Sequence, residues 1–524
     1  MSDHSFTNDY LENNRPNGLN TPMGLFFRGK TVFLTGGTGF LGKLFIEKLL
    51  RCDVREIILL IRNKRDRTPR ERLRKQLERE AIYVSYAKDP DYYWDRLRIV
   101  EGALQHSELG LAEKDLDYLR NNVDIVIHSA ADVRFEVSLK TSIKTNVFGA
   151  NELLQIALGM KKLVSFLYIS TAYSNCIRDV VEEKFYDMGV DPMMLIRLVD
   201  MADEHELNAL TKKITQPWPN TYTFAKALAE SVLRSYCERL PVAVIRPSII
   251  IGTVRDPIEG WADNLYALNG AIVGFGCGVL RVVQVYEHCH FDIIPADLVV
   301  NSSLAIVWYT TEHKNRNTTS TENVFNCTCR SDNPITFTDG VRYAMSHRND
   351  FPPVKTLWYP SVTMTASATV NYILQLLYHV LPAMILDLLA RLKGMEPRVL
   401  FLYRKARQFS DVLTFFCLHE WIFHNDKMRM VHDSMSQQDR DFFPANVKNL
   451  KWGDFFRTYV LGVRKYIIRE SLDNLEQAKK KFFKLKIAHG LLIGCLYFGL
   501  LVIVYLFFRG LLARCGIEQI VIKF

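Results

Sequence analysis

The chain has 524 residues, 48% apolar and 23% charged, with a formal charge of +9. That is an ordinary globular composition, long enough for two or more domains with cores of their own. No basic patch interleaves with aromatics, so no nucleic acid partner is expected. Ten cysteines without a C-x-x-C pair argue for a reducing compartment and against a zinc or disulfide framework.

In chain order, residues 1–25 read as a disordered tail, with no signal peptide. TVFLT (31–35) predicts a strand, FLGKLFIEKLL (40–50) a helix and EIILLI (56–61) a second strand. Between the first strand and the helix stands Thr35-Gly36-Gly37-Thr38-Gly39-Phe40-Leu41-Gly42, which satisfies both G-x-G-x-x-G and G-x-x-G-x-x-G. Its place between a strand and a helix is the context a dinucleotide fingerprint requires. Glycine has no Cβ, so the backbone can approach a pyrophosphate at the positive end of the helix. The second strand ends in Arg62-Asn63-Lys64, not in an acid. A guanidinium there suits a 2′-phosphate, whereas an acid would bind the ribose hydroxyl, so NADPH is the expected cofactor. The mixed-charge run from Arg62, RNKRDRTPRERLRKQLERE, reads as a loop and a solvated helix.

Further strands are expected at DIVIHSA (124–130), LVSFLYIST (163–171) and VAVIRPSII (242–250). Strands alternating with helices predict a parallel sheet covered on both faces. The expected fold class is therefore α/β: a Rossmann-type doubly wound sheet over 26–335, then a mainly helical domain over 336–478. In PNTYTFAKALAE (219–230), Tyr222 and Lys226 stand four apart and leave one face of a helix. An ammonium beside a phenol is expected to lower the phenol's pKa. His288-Cys289-His290 reads as part of a strand, and no metal is expected.

VNYILQLLYHVLPAMILDLLARLKG (370–394) reads as a helical hairpin broken at Pro382, packed in a core or lying against lipid. Asp387, Arg391 and Lys393 weigh against a true span. The uncharged run 487–508 predicts a transmembrane helix. Lys479, Lys480, Lys481, Lys484 and Lys486 precede it, and only Arg509, Arg514 and Lys523 follow. The expectation is a single-pass, tail-anchored chain with its large N-terminal part in the cytosol. The sequons at Asn301, Asn317 and Asn326 would matter only in a secretory lumen.

Together the glycine turn and the Tyr222/Lys226 pair resemble the extended short-chain dehydrogenase/reductase family. The resemblance implies that Tyr222 exchanges a proton with the reacting oxygen, while Lys226 tunes it and holds the nicotinamide ribose. It also implies a partner hydroxyl in FLYISTAYSN; alignment on Ala172 favours Thr171, with Ser170 second. Cofactor contacts are implied at Ser129, Ala130 and Ala131, at Asn146 of KTNVFGANELL and at Pro247, besides the turn and Arg62. TGGTGFLG, PIEGWADNL (257–265), HFDIIPADLVVN (290–301), LHEWIFHN and WGDFFRTYVLGVRKY look like fatty acyl-CoA reductases over nearly the whole chain. Ala103 and Glu108 in VEGALQHSELGL depart from that family's pattern of an acid and a proline. The likeness implies NADPH-dependent reduction of long-chain or very-long-chain fatty acyl-CoA to a primary alcohol with release of CoA. The membrane would be that of the endoplasmic reticulum or the peroxisome. Two other readings stand beside it: a membrane-bound dehydrogenase of a sterol or other lipid alcohol or ketone, and a non-catalytic NADP-binding membrane scaffold. No motif speaks to oligomeric state.

Overall fold

The computed structural model describes residues 20–63, 68–88, 93–313 and 322–514. At its centre lie seven parallel strands: β1 (Thr31–Thr35), β2 (Glu56–Ile61), β3 (Leu97–Glu101), β4 (Ile125–His128), β5 (Ser165–Ile169), β6 (Val242–Pro247) and β7 (Val324–Cys327). Their spatial order is β7-β6-β5-β4-β1-β2-β3. Five of them are the strands expected from the sequence; β3 and β7, at the two edges, are additional.

TVFLT is buried along its whole length. Alternation sends Val32 and Leu34 into one core layer and Phe33 into the other, as a sheet covered on both faces demands. Among the helices that frame this sheet are α1 (Pro22–Phe27), α2 (Phe40–Arg51), α3 (Thr221–Arg234) and α4 (Ala296–Glu312). Helices α2 and α4 fill the first layer, and α3 closes the second. The thirteen residues Ala296 to Trp308 of α4 are all buried, and its polar Asp297, Asn301, Ser302 and Ser303 are hydrogen-bonded inside. The expected tail boundary at residue 25 falls inside α1, whose Met23 and Phe27 are buried and whose N-cap Thr21 accepts from the Gly24 N–H. Residues 1–19 lie outside the described residues.

The region after 336 is mainly helical but is sewn into the sheet unit. Thr363–Thr365 pairs with Val282–Gln284, and Ile422–Phe423 pairs with Val180–Val181. Helices α5 (Ala368–Leu392) and α6 (Val399–Cys417) follow one another across a short turn. The expected break at Pro382 is absent. A π-turn over Leu376–Val380 lets the Leu381 N–H bond Leu376 O, so the missing proline donor is absorbed where the α-helix restarts. The chain turns instead at 393–398. Helix α7 (Leu475–Arg514) is one rod of 40 residues, long and apolar enough to cross a membrane, and its apolar run is exposed. Asn301 and Asn326 are buried, so a folded chain does not present those two sequons; Asn317 lies outside the described residues.

Candidate active site

The strand order reverses between β1 and β4, and open α/β sheets bind ligands at such a point, beyond the carboxyl ends of the strands. There β1 delivers Thr35 and the glycine turn. Gly36 has φ +79°, and a Cβ on it would lie 2.7 Å from Ala130 N; one on Gly42 would lie 2.0 Å from Gly36 O. Turn, β4 loop and α2 therefore meet backbone to backbone. Gly39 caps α2 without a side-chain bond, and no acid stands in the helix's first turn. The positive end of a 12-residue helix is thus left for an anion.

Thr35 Oγ1 accepts from the Ala130 N–H (3.2 Å) and bonds His128 Nδ1 (2.6 Å), and the Ser129 N–H donates to Thr35 O (3.3 Å). These bonds hold the Ser129-Ala130-Ala131 stretch beside the turn. Thr38 O accepts from Gln76 (2.6 Å). Asn146 commits both amide atoms to the backbone of Asp132, at 3.0 and 2.8 Å, and so shapes the β4 loop. Asp132 is held below the usual carboxylate range, first by the Arg134 guanidinium, with Arg62 adding to the pull. Arg62 is exposed just beyond β2. A bare helix end, close backbone and a cation past β2 fit a dinucleotide phosphate carrier.

Asn220 caps α3 by accepting from the Thr223 N–H (2.9 Å), which sets Tyr222 in the first turn and Lys226 one turn on. Tyr222 is half-buried and stacks on Phe135, with centroids 5.7 Å apart. Lys226 is buried; it donates to Ile169 O (2.6 Å) and Tyr168 OH (3.2 Å) and lies over the Tyr168 ring. The expected lowering of the tyrosine's pKa is not found. Burial raises the Tyr222 phenol, and the Lys226 ammonium is directed at β5. Burial also lowers Lys226 to about 7, against the pull of Glu230.

Ser170 and Thr171 part company. Ser170 Oγ donates to Glu230 (2.5 Å), and Glu230 is clamped by the fully buried Arg246 (2.5 Å). Thr171 Oγ1 accepts from the Tyr173 N–H (3.3 Å) and lies 3.5 Å from the carbonyl of Pro247, which closes β6. The turn after Thr171 packs on the start of α3, where Trp218 donates to Ser174 O (2.8 Å).

Two residues past Thr171, Tyr173 lines an apolar cavity walled by both halves of the chain, with Ile272, Phe275, Phe337, Leu413 and Phe416. Phe416 touches Phe135 (5.5 Å) and Tyr173 (5.3 Å), so aromatic rings run from Tyr222 to the cavity wall. Polar residues of the lining are paired in the wall: His290 Nδ1 and Arg330 both bond the Glu420 carboxylate (2.8 Å each), and Asp292 accepts from the Cys329 N–H (2.6 Å). Sequence reasoning missed Tyr168, Phe135 and Phe416. Tyr168 stands inside FLYISTAYSN, whose hydroxyls drew the attention, and no motif marks Phe135 or Phe416.

Two family models, both described as male sterility protein, match the chain: an NAD-binding one over residues 34–303 and a Sterile one over 378–470. The chain is 35% identical over 478 residues to "Fatty acyl-CoA reductase wat" of Drosophila melanogaster, covering 91% of this chain and 92% of that one. It is 32% identical over 463 residues to "Fatty acyl-CoA reductase 1" of Homo sapiens, covering 88% and 89%. Among solved structures, the reductase domain of a nonribosomal peptide synthetase from Mycobacterium tuberculosis has a TM-score of 0.55 at 19% identity, covering 87% of this chain and 98% of that one. The terminal R domain of the myxalamid pathway has a TM-score of 0.54 at 17% identity, covering 83% and 91%. At those identities the likeness is one of fold.

Proposed function

The chain belongs to the fatty acyl-CoA reductase family, whose members are oxidoreductases with a nicotinamide-binding domain, and from that premise we propose that it uses NADPH to reduce long-chain fatty acyl-CoA to the primary alcohol and free CoA. One observation carries the reading: a neutral phenol, Tyr222, near the end of β5, linked through Phe135 and Phe416 to an apolar cavity. Such walls suit an acyl chain and leave the groups of a polar substrate unpaired.

Bound NADPH supplies hydride, twice for each acyl group taken to alcohol. Arg62 would give the 2′-phosphate a cation, and the bare end of α2 would receive the pyrophosphate. Tyr222 gives its proton to the oxygen on which negative charge develops, and Thr171 donates a hydrogen bond to the same oxygen. Lys226 steadies that charge from the β5 side. As the carbon–sulfur bond of the hemithioacetal breaks, its hydroxyl returns the proton to the Tyr222 phenolate, CoA leaves as thiolate, and the aldehyde that remains meets the same two hydroxyls. An apolar α7 suits an enzyme whose product partitions into lipid, anchored with its body in the cytosol, at the endoplasmic reticulum or the peroxisome.

Replacing Tyr222 tests this directly. In Tyr222→Phe, turnover of palmitoyl-CoA falls by roughly 10²–10⁴-fold while NADPH binding by fluorescence titration is unchanged. A variant that turns over at the parent's rate overturns the reading.

A further inference from the structure

Helix α5 is amphipathic in the inverted sense. Its inward stripe, at four-residue spacing, is Asn371, Gln375, His379 and Ala383, all buried. Three of these four are polar, and they are satisfied inside: Gln375 donates to Asn371 (3.4 Å), and His379 Nε2 accepts from the Arg281 N–H (3.0 Å). One turn further, Asp387 accepts from the N–H groups of Val399 and Leu400 at 2.9 and 3.0 Å, capping α6. The opposite stripe is Val370, Ile373, Leu377, Leu381, Met384, Leu388 and Leu392, between 44% and 75% exposed. Water-facing helices carry these two stripes the other way round.

Three features indicate what covers the apolar stripe. Both ends of the α5–α6 hairpin are tied to the same body, through the strand pairs at Thr363–Thr365 and Ile422–Phe423, so the hairpin leaves the body and returns to it. The helix ends around its turn are basic: from Arg391 to Arg407 there are six arginines and lysines and a single acid, Glu396. Its base adjoins α7. Trp358 donates to His489 (3.0 Å), and Tyr359 packs on Phe482 and His489, at the point where the uncharged run of α7 begins. Tyr359 precedes α5 by nine residues. Tryptophan and tyrosine favour the headgroup level of a bilayer, and basic residues favour its anionic surface.

We propose that α5 is a second, monotopic membrane contact, its Val370–Leu392 stripe seated in one leaflet of a phospholipid bilayer beside α7. Helix α6 bridges this contact to the cavity, since Leu413 and Phe416 of α6 line the cavity wall. The membrane contact itself does not depend on the reductase reading.

The full-length chain tests it after reconstitution into phosphatidylcholine–phosphatidylserine vesicles, with the photoreactive residue benzoylphenylalanine replacing Leu388 or Leu381. Leu210, exposed on the helix Glu204–Thr215, is the control position. All three are surface positions, and unchanged thermal melting establishes that each variant folds as the parent does. On illumination the expected result is a phospholipid adduct at Leu388 and Leu381, and none at Leu210. A chain-to-chain adduct in place of the lipid one would assign the stripe to a second copy and overturn the proposal. Illumination that leaves Leu388 and Leu381 free of lipid overturns it too.

Discussion

At the residue scale, two neighbouring hydroxyls at the end of β5 are separated by a carboxylate 60 positions away. Ser170 is bound to Glu230 and through it to Arg246, so its hydroxyl belongs to the polar core. Ser170→Ala leaves a buried carboxylate short of a donor and lowers stability by about 1–3 kcal/mol, with turnover near the parent's. Thr171→Val has a different signature: kcat/KM for palmitoyl-CoA falls roughly 10²-fold, beyond the stability loss of about 0.5–2 kcal/mol expected when the Tyr173 N–H loses its cap acceptor. Melting and steady-state kinetics on the two variants check the pair, and reversed signatures would transfer the catalytic role to Ser170. Lys226 sets a pH dependence. With its pKa lowered to about 7, its charge is lost as pH rises through neutrality, so kcat/KM falls above about pH 7. The unfolded lysine keeps its proton to about 10.5, so this group's contribution to stability rises with pH between about 7 and 10.5. A flat kcat/KM profile from pH 6 to about 9 would contradict the account. The tyrosine and lysine stood out as a pair only beside the glycine turn, since their four-residue spacing alone says little. The choice between Ser170 and Thr171 was not decided by spacing, because adjacent positions differ only in what a distant strand and helix bring to each.

At the scale of elements, the glycine turn is one of the tightest junctions among the described residues. A methyl on Gly42 meets the backbone of Gly36 and Gly37, atoms that cannot turn aside as a side chain could. Gly42→Ala is therefore expected to lose about 1–3 kcal/mol of stability and at least roughly tenfold in NADPH affinity. Melting with and without NADPH measures both, and an unperturbed variant would mean that α2 is not held where the cofactor reading needs it. The inner strands and the glycine turn were legible because each carries a long apolar run or a motif. Edge strand β3 hides its pattern behind the exposed Arg98 and Glu101. The two-stranded pairs are two or three residues long, too short for any periodicity. Pro382 gave a false break because a π-turn, which depends on the bond from Leu381 to Leu376, leaves no mark in composition.

At the scale of the whole molecule, the two halves are interdependent. The sheet unit supplies Tyr222, Thr171 and the turn, and the helical region supplies Phe416 and much of the cavity wall. Tyr173 and Phe416 stand far apart in sequence and are joined only by the fold, which is why the cavity could not be read from the chain. Helix α7 adds an apolar rod with a basic collar of lysines in its first turns. The most direct measurement is the ratio of NADPH oxidised to thiol released when the purified full-length chain acts on palmitoyl-CoA. The account predicts two NADPH for each CoA thiol, with hexadecanol as the product. NADPH oxidation without any release of thiol would contradict it.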